Sequence, residues 1–147
     1  MAHRTDPLPD PDHDADFYAD VSVKRLLAWF VDVIAISLML LVIVLFTAFL
    51  GAFLLPLLWL TISFAYRWWS LAARSATPGM RLFNIEFRQP DGRHFDGPTA
   101  FFHTAGFTLS MAIFPLQLLS MALMVMSARG QGLTDHLMGT VAINRPA

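Results

Sequence analysis

Three residues stand out by type and by position: Arg25, Asp32 and Asp135. Asp32 is the single charge in an apolar run of about two dozen residues that follows Lys24 and Arg25. A carboxylate in such a run costs about 2.5–3.5 kcal/mol on insertion scales, so it needs a partner, a proton or water. Three fates fit. Asp32 accepts hydrogen bonds from Thr61, Ser63 or Tyr66, or from Ser110 or Gln117 further along. Or its apolar surroundings keep it protonated. Or it faces a wet cavity and exchanges protons, since ionisable groups at such depth mark ion and proton paths. The plainer alternative is a hydrogen-bonded carboxyl that fixes helix packing, an interaction worth about 0.6–2 kcal/mol in membranes.

Arg25 precedes Asp32 by seven residues, two helical turns, so the two share a helix face about 10 Å apart. Side chains lean toward the helix N-terminus, which aims Arg25 back at the headgroups as a snorkelling anchor. Asp135 lies in Leu133-Thr134-Asp135-His136-Leu137-Met138-Gly139-Thr140. Thr134 and Asp135 can cap a short helix carrying Leu137 and Met138. Asp135 can instead pair with Arg25 or another arginine, provided the C-terminus returns to the side where the first apolar run begins. His94, Asp96, His103, Asp135 and His136 are types that suit zinc or a harder ion, but their spacing matches no ligand motif. Asp12, His13, Asp14 and Asp16 read as part of a solvated tail more readily than as a metal trap. No metal, cofactor or catalytic set is expected, and no enzyme.

The elements that must position these residues follow from composition. The 147 residues are 56% hydrophobic and 14% charged, with a mean hydropathy of +0.54. Soluble domains carry about 25% charge, so the chain reads as an integral membrane protein in contact with the bilayer. Six of the eleven acids lie in the first twenty residues, and nine of the ten basic residues follow residue 23. Residues 1–20, rich in Pro and Asp, read as a disordered acidic tail, and residues 21–147 as one membrane domain. The leader is too acidic and the apolar run too long for a signal peptide, so the run reads as a retained span. Few basic residues, all flanking apolar runs, exclude nucleic acid; the absence of Cys excludes disulfides and thiolate sites.

The fold expected is mainly α, with two transmembrane helices over about Leu26–Ala48 and Phe53–Trp69. Basic flanks put the N-terminus and residues 70–98 in the cytoplasm by the positive-inside rule. Leu82–Arg88 alternates as a strand, Gln89-Pro90-Asp91-Gly92 suits a type I turn, and Arg93–Phe95 can return, giving a small cytoplasmic β-hairpin. Residues 99–127 are apolar but broken by Gly106, Pro115 and Gln117. They form either a third full span or two half-length helices that re-enter, hinged near Pro115. A C-terminal strand at Thr140–Asn144 favours re-entry, because it would join the hairpin from the cytoplasmic side.

Arg25, Asp32 and Asp135, with the Thr77-Pro78-Gly79 turn, Arg81-Leu82 and the strand ending in Asp91-Gly92, resemble the RDD family of small membrane proteins. The resemblance covers about residues 21–144. It departs at Met80, where the family has lysine. It implies at least two spans, roles for Arg25, Asp32 and Asp135, and a molecular function not assigned, with transport, including sodium/proton exchange, suggested for some members. Two functions follow. One is an inner-membrane protein for ion- or proton-coupled transport of small solutes, working as a homo-oligomer or with a larger membrane partner, with Asp32 as the titrating carboxyl. The other is an accessory scaffold that docks a partner through the hairpin.

Overall fold

The computed structural model describes residues 7–146. Helix α1 spans Val21–Phe46. Its buried positions Ala28, Asp32, Ile36 and Leu40 recur every fourth residue, a single stripe. Ile34, Leu38, Leu41 and Leu45 point outward, which lipid tails tolerate as well as a protein core does. The helix ends at a tight turn in which Ala48 and Phe49 take left-handed φ of 49° and 68°, and Gly51 N–H donates to the Thr47 hydroxyl at 3.0 Å. Helix α2 spans Leu55–Arg74 with Pro56 in its first turn, where a missing N–H costs nothing. Both helices are long and apolar enough to cross a bilayer. The largest shifts from expectation are that α1 starts at Val21 and α2 continues past Trp69 to Arg74; the two inner ends move by two residues each, to Phe46 and Leu55.

After α2 the chain turns at Ser75, makes the short helix α3 over Pro78–Leu82, and enters strand β1, Ile85–Arg88. Two further helices follow, α4 over Gly97–Ala112 and α5 over Phe114–Met126. Asp96 caps α4 by accepting from Thr99 N–H at 2.8 Å. The pair is bent by 116° between Ala112 and Phe114, where Pro115 offers no N–H to carry the α4 ladder onward. Helix α6, Leu133–Met138, closes on Gly139 at φ 70°, and strand β2, Val141–Asn144, ends the order.

The two strands pair antiparallel, Ile85 opposite Asn144 and Arg88 opposite Val141. The expected hairpin with Arg93–Phe95 does not form. Gln89 N–H donates to the Arg93 carbonyl at 2.8 Å to close the turn. Phe95 N–H then leaves for Ser75 Oγ at 2.5 Å, and the Phe95 ring stacks on Phe87 at 5.3 Å. A two-stranded sheet is marginal alone; here Val21, Leu71, Met80, Ile85, Phe87 and Phe95 belong to one buried cluster beneath it.

Strand β2 brings the end of the chain back to the start of α1. Lys24 Nζ donates to Asn144 Oδ1 at 2.6 Å. The Ser22 hydroxyl donates to the Met124 carbonyl at the end of α5 at 2.9 Å, and Trp68 Nε1 donates to the Gly97 carbonyl at the start of α4 at 3.1 Å. So α4 begins and α5 ends on one side of the molecule, the bent pair turning back between them.

Of residues 1–20, expected as a disordered tail, residues 7–20 pack against the fold; residues 1–6 lie outside the described residues. Leu8 is buried against Val141 and Ile143, flanked by Phe17 and Tyr18. Tyr18 donates its hydroxyl to the Pro9 carbonyl at 2.8 Å, and the Asn144 amide donates to the carbonyls of Asp16 and Ala19 at 2.8 and 3.0 Å. Three apolar residues among the acids suffice, because the second face of β2 offers them a surface to cover.

Candidate functional site

Asp32 sits on the buried stripe of α1, and the turn after α2 folds onto it. Its Oδ1 accepts from the Tyr66 hydroxyl and from Gly79 N–H, both at 2.8 Å. Its Oδ2 accepts from the Thr77 hydroxyl. Thr77 in turn accepts from Met80 N–H at 3.2 Å, which caps α3. Three of about four acceptor sites of the carboxylate are therefore filled by the fold. Glycine is needed at position 79: a Cβ there would lie 2.2 Å from the Ala28 carbonyl oxygen and 2.8 Å from Asp32 Oδ1.

Of the donors expected from sequence, Tyr66 alone meets Asp32. Ser63 donates to the Leu60 carbonyl at 3.2 Å, Thr61 is exposed, and Ser110 donates to Gln117 Oε1 at 3.1 Å. Thr77 and Gly79 were missed. Their signal was the Thr-Pro-Gly turn itself, whose hydroxyl and free N–H at a helix start make an anion cradle.

Asp135 anchors the second cluster. Arg25 Nη1 donates to Oδ2 at 2.6 Å and to the Gly130 carbonyl at 3.0 Å. Gly132 N–H donates to the same Oδ2 at 3.0 Å. His103 Nε2 lies 2.8 Å from Oδ1, and the Thr140 hydroxyl donates to it at 2.9 Å. An acceptor-only carboxylate sets the His103 ring to its Nε2–H form. The expected Arg25–Asp135 pair is thus present, and it ties α1, α4, α6 and the lead into β2 at one point. Arg25 also lies over the Phe87 ring, 5.1 Å from its centroid. Burial pushes the Asp135 carboxyl up, but the charge of Arg25 and the bond from His103 outweigh it and hold it well below the ordinary range. His136 turns away, its Nδ1 2.9 Å from the Gly132 carbonyl. Among the described residues, no three His, Asp or Glu side chains converge in a metal-holding group.

Two cavities flank Asp32. One, of about 320 Å³, lies between α1, α2 and α4 and is lined by Asp32, Ser63, Tyr66, Arg67 and Thr108 among apolar and tryptophan side chains. The other, of about 410 Å³, opens between α1 and α5 and is lined by Arg25, Asp32, Arg67, Gln117 and several methionines. Arg67 belongs to both walls. Its guanidinium lies 3.9 Å from the centroid of the Phe107 ring. Its Nε is shut off from solvent and has no hydrogen-bond partner among the described residues. The expected second span, Phe53–Trp69, has Arg67 near its end; because α2 runs on to Arg74, the residue lies nearly two turns inside the helix, next to Tyr66.

Neither the curated proteins nor the solved structures contain a match to this chain. The RDD family model matches residues 20–139. That stretch holds Arg25, Asp32, the Thr77–Gly79 turn and Asp135, the groups on which both clusters are built, and the chain belongs to the RDD family.

Proposed function

We propose that the protein is a subunit of an oligomeric transporter in the inner membrane, with its N-terminus cytoplasmic, moving a small solute by ion or proton coupling. One observation carries this reading. The 320 Å³ cavity between α1, α2 and α4 has a carboxylate, a phenol and a guanidinium in an otherwise apolar wall, and such pockets, apolar with a few convergent polar groups, are the usual form of a binding site. Ionisable groups placed inside spans support it further. Asp32 is the coupling carboxyl: one of its acceptor sites is left over after Tyr66, Thr77 and Gly79. Two spans and a bent pair enclose little volume, so a continuous path needs several copies or a larger partner.

A second reading is favoured by the same carboxylates. The fold itself occupies most acceptor sites of Asp32 and Asp135, as expected of groups that only hold architecture. In that case the protein is an accessory scaffold, with the sheet and α6 as its docking side. Reconstitution in vesicles separates the two. Asn at position 32 can keep a bond from Tyr66 or Gly79 and turn its amide toward Thr77, but it cannot ionise. Sodium- or pH-driven flux in the parent that is lost in Asp32→Asn, with helicity and monodispersity intact, supports transport. Absence of flux in the parent, under either gradient, removes it.

A further inference from the structure

Arg67 is unexplained by either cluster. It forms none of the ion pairs found among the described residues, and its Nε has no acceptor. A buried charged donor left without a partner carries a desolvation cost that the stack on Phe107 offsets only in part. The residue is nevertheless held firmly. It is fixed by Phe107 on one face and stands on the wall between the two cavities, both of which Asp32 also lines. Arg25, the other arginine of the larger cavity, is already committed to Asp135 and Gly130. Among the described residues, Arg67 is the cation of these two linings that has no anionic or carbonyl partner.

We infer that Arg67 is an oxyanion-binding residue, and that the α1–α2–α4 cavity holds a carboxylate or phosphate carried on an apolar or aromatic body. The planar guanidinium matches such groups with two parallel hydrogen bonds. The rest of the lining sets the body: Trp29, Trp59, Phe107 and Met111 surround the polar groups with apolar surface. The larger cavity continues this surface to Leu26, Met121 and Val125, which are exposed on the outer face, so a ligand can also enter sideways from the bilayer. The oxyanion then belongs either to a lipid headgroup or to a free organic acid; both present the same chemistry to Arg67. The inference deepens the transport reading by naming the ligand class. It is tested by binding alone, so it can fail while flux persists and stand where flux is absent.

The experiment uses the full chain in phosphatidylcholine nanodiscs. In one arm phosphatidylglycerol is added, and lipids retained by the protein are counted by native mass spectrometry. In the other, benzoate is titrated and the tryptophan fluorescence, to which Trp29 and Trp59 in the cavity wall contribute, is followed. Binding in the first arm assigns a lipid, binding in the second a free acid. In either case Arg67→Gln is expected to weaken binding about tenfold or more, and Arg67→Lys by less. Ala112→Phe, which adds a ring at the cavity wall and leaves the charge, is expected to weaken binding about tenfold or more and keeps the test decisive if Arg67→Gln does not fold. The inference is overturned if the parent binds neither probe. It is also overturned if folded Arg67→Gln, or folded Ala112→Phe, binds as the parent does.

Discussion

Neutralising Asp135 should destabilise the protein by about 3 kcal/mol, but by only about 1 kcal/mol when Arg25 has already been neutralised. Asp135→Asn keeps the size and one acceptor oxygen. Turned toward His103 and Thr140, that oxygen preserves two bonds. The new amide then faces the Arg25 guanidinium and Gly132 N–H, donors against donors. Removing one partner of a buried pair costs about 3–5 kcal/mol. The Asp135 side chain is 1% exposed and that of Arg25 11%, and Arg25 keeps the Gly130 carbonyl, so the lower end applies. Arg25→Gln leaves Asp135 three of its donors, at a cost of about 2 kcal/mol. The double variant should then fall short of the sum by about 2 kcal/mol. The assay is reversible unfolding of the full chain in mixed micelles, followed by circular dichroism. Additivity within about 0.5 kcal/mol would refute a direct pair. A pH arm gives an independent check. A carboxyl held below its ordinary 3.8 stabilises the fold above that value and loses the contribution as pH falls through the folded value. Parent stability should therefore hold from neutrality to about pH 4 and then drop, and Asp135→Asn should lack that component of the drop.

Further outcomes follow from the geometry. Gly79→Ala should cost more than about 3 kcal/mol, since its methyl meets backbone at 2.2 Å and displaces a bond to a carboxylate; a melting temperature equal to the parent's would contradict the packing of the turn on α1. Leu8→Ala should lose about 2 kcal/mol, because Leu8 is buried against β2, measurable by the same unfolding assay, and no loss would return this segment to a solvated tail. The chain has no cysteine, so single cysteines report sidedness directly. Gln89→Cys and Arg145→Cys should label from the same side, and Ala52→Cys from the opposite one; opposite labelling of the first two would exclude the β1–β2 pairing.

The long apolar runs were legible because burial in lipid demands length, and length is read by counting. The Arg25–Asp135 pair was legible for a related reason: a return of the C-terminus beside α1 follows once Thr140–Asn144 is taken as a strand that needs a partner. The partners of Asp32 were harder to see. Polar residues on neighbouring spans were the natural candidates, but the donors come mostly from a loop outside the spans that dips onto the helix, and nothing in helical periodicity anticipates a loop. Arg67 gains depth because Ser70-Leu71-Ala72-Ala73 continues the helix beyond Trp69, where the expected span ends. Arg93–Phe95 was given to a strand because turn chemistry favours hairpins; the aromatic stack of Phe95 on Phe87 won instead.

The order of synthesis gives the Asp32 clasp a temporal side. The acid leaves the ribosome 34 residues ahead of Tyr66, 45 ahead of Thr77 and 47 ahead of Gly79. At about 5–20 residues per second, Thr77 follows it by roughly 2–9 s. During that interval Asp32 lacks all three donors, a deficit of about 2.5–3.5 kcal/mol for a carboxylate inside a span. The clasp is therefore closed last, by the turn behind the second helix, and α1 and α2 are locked together only after both have been made.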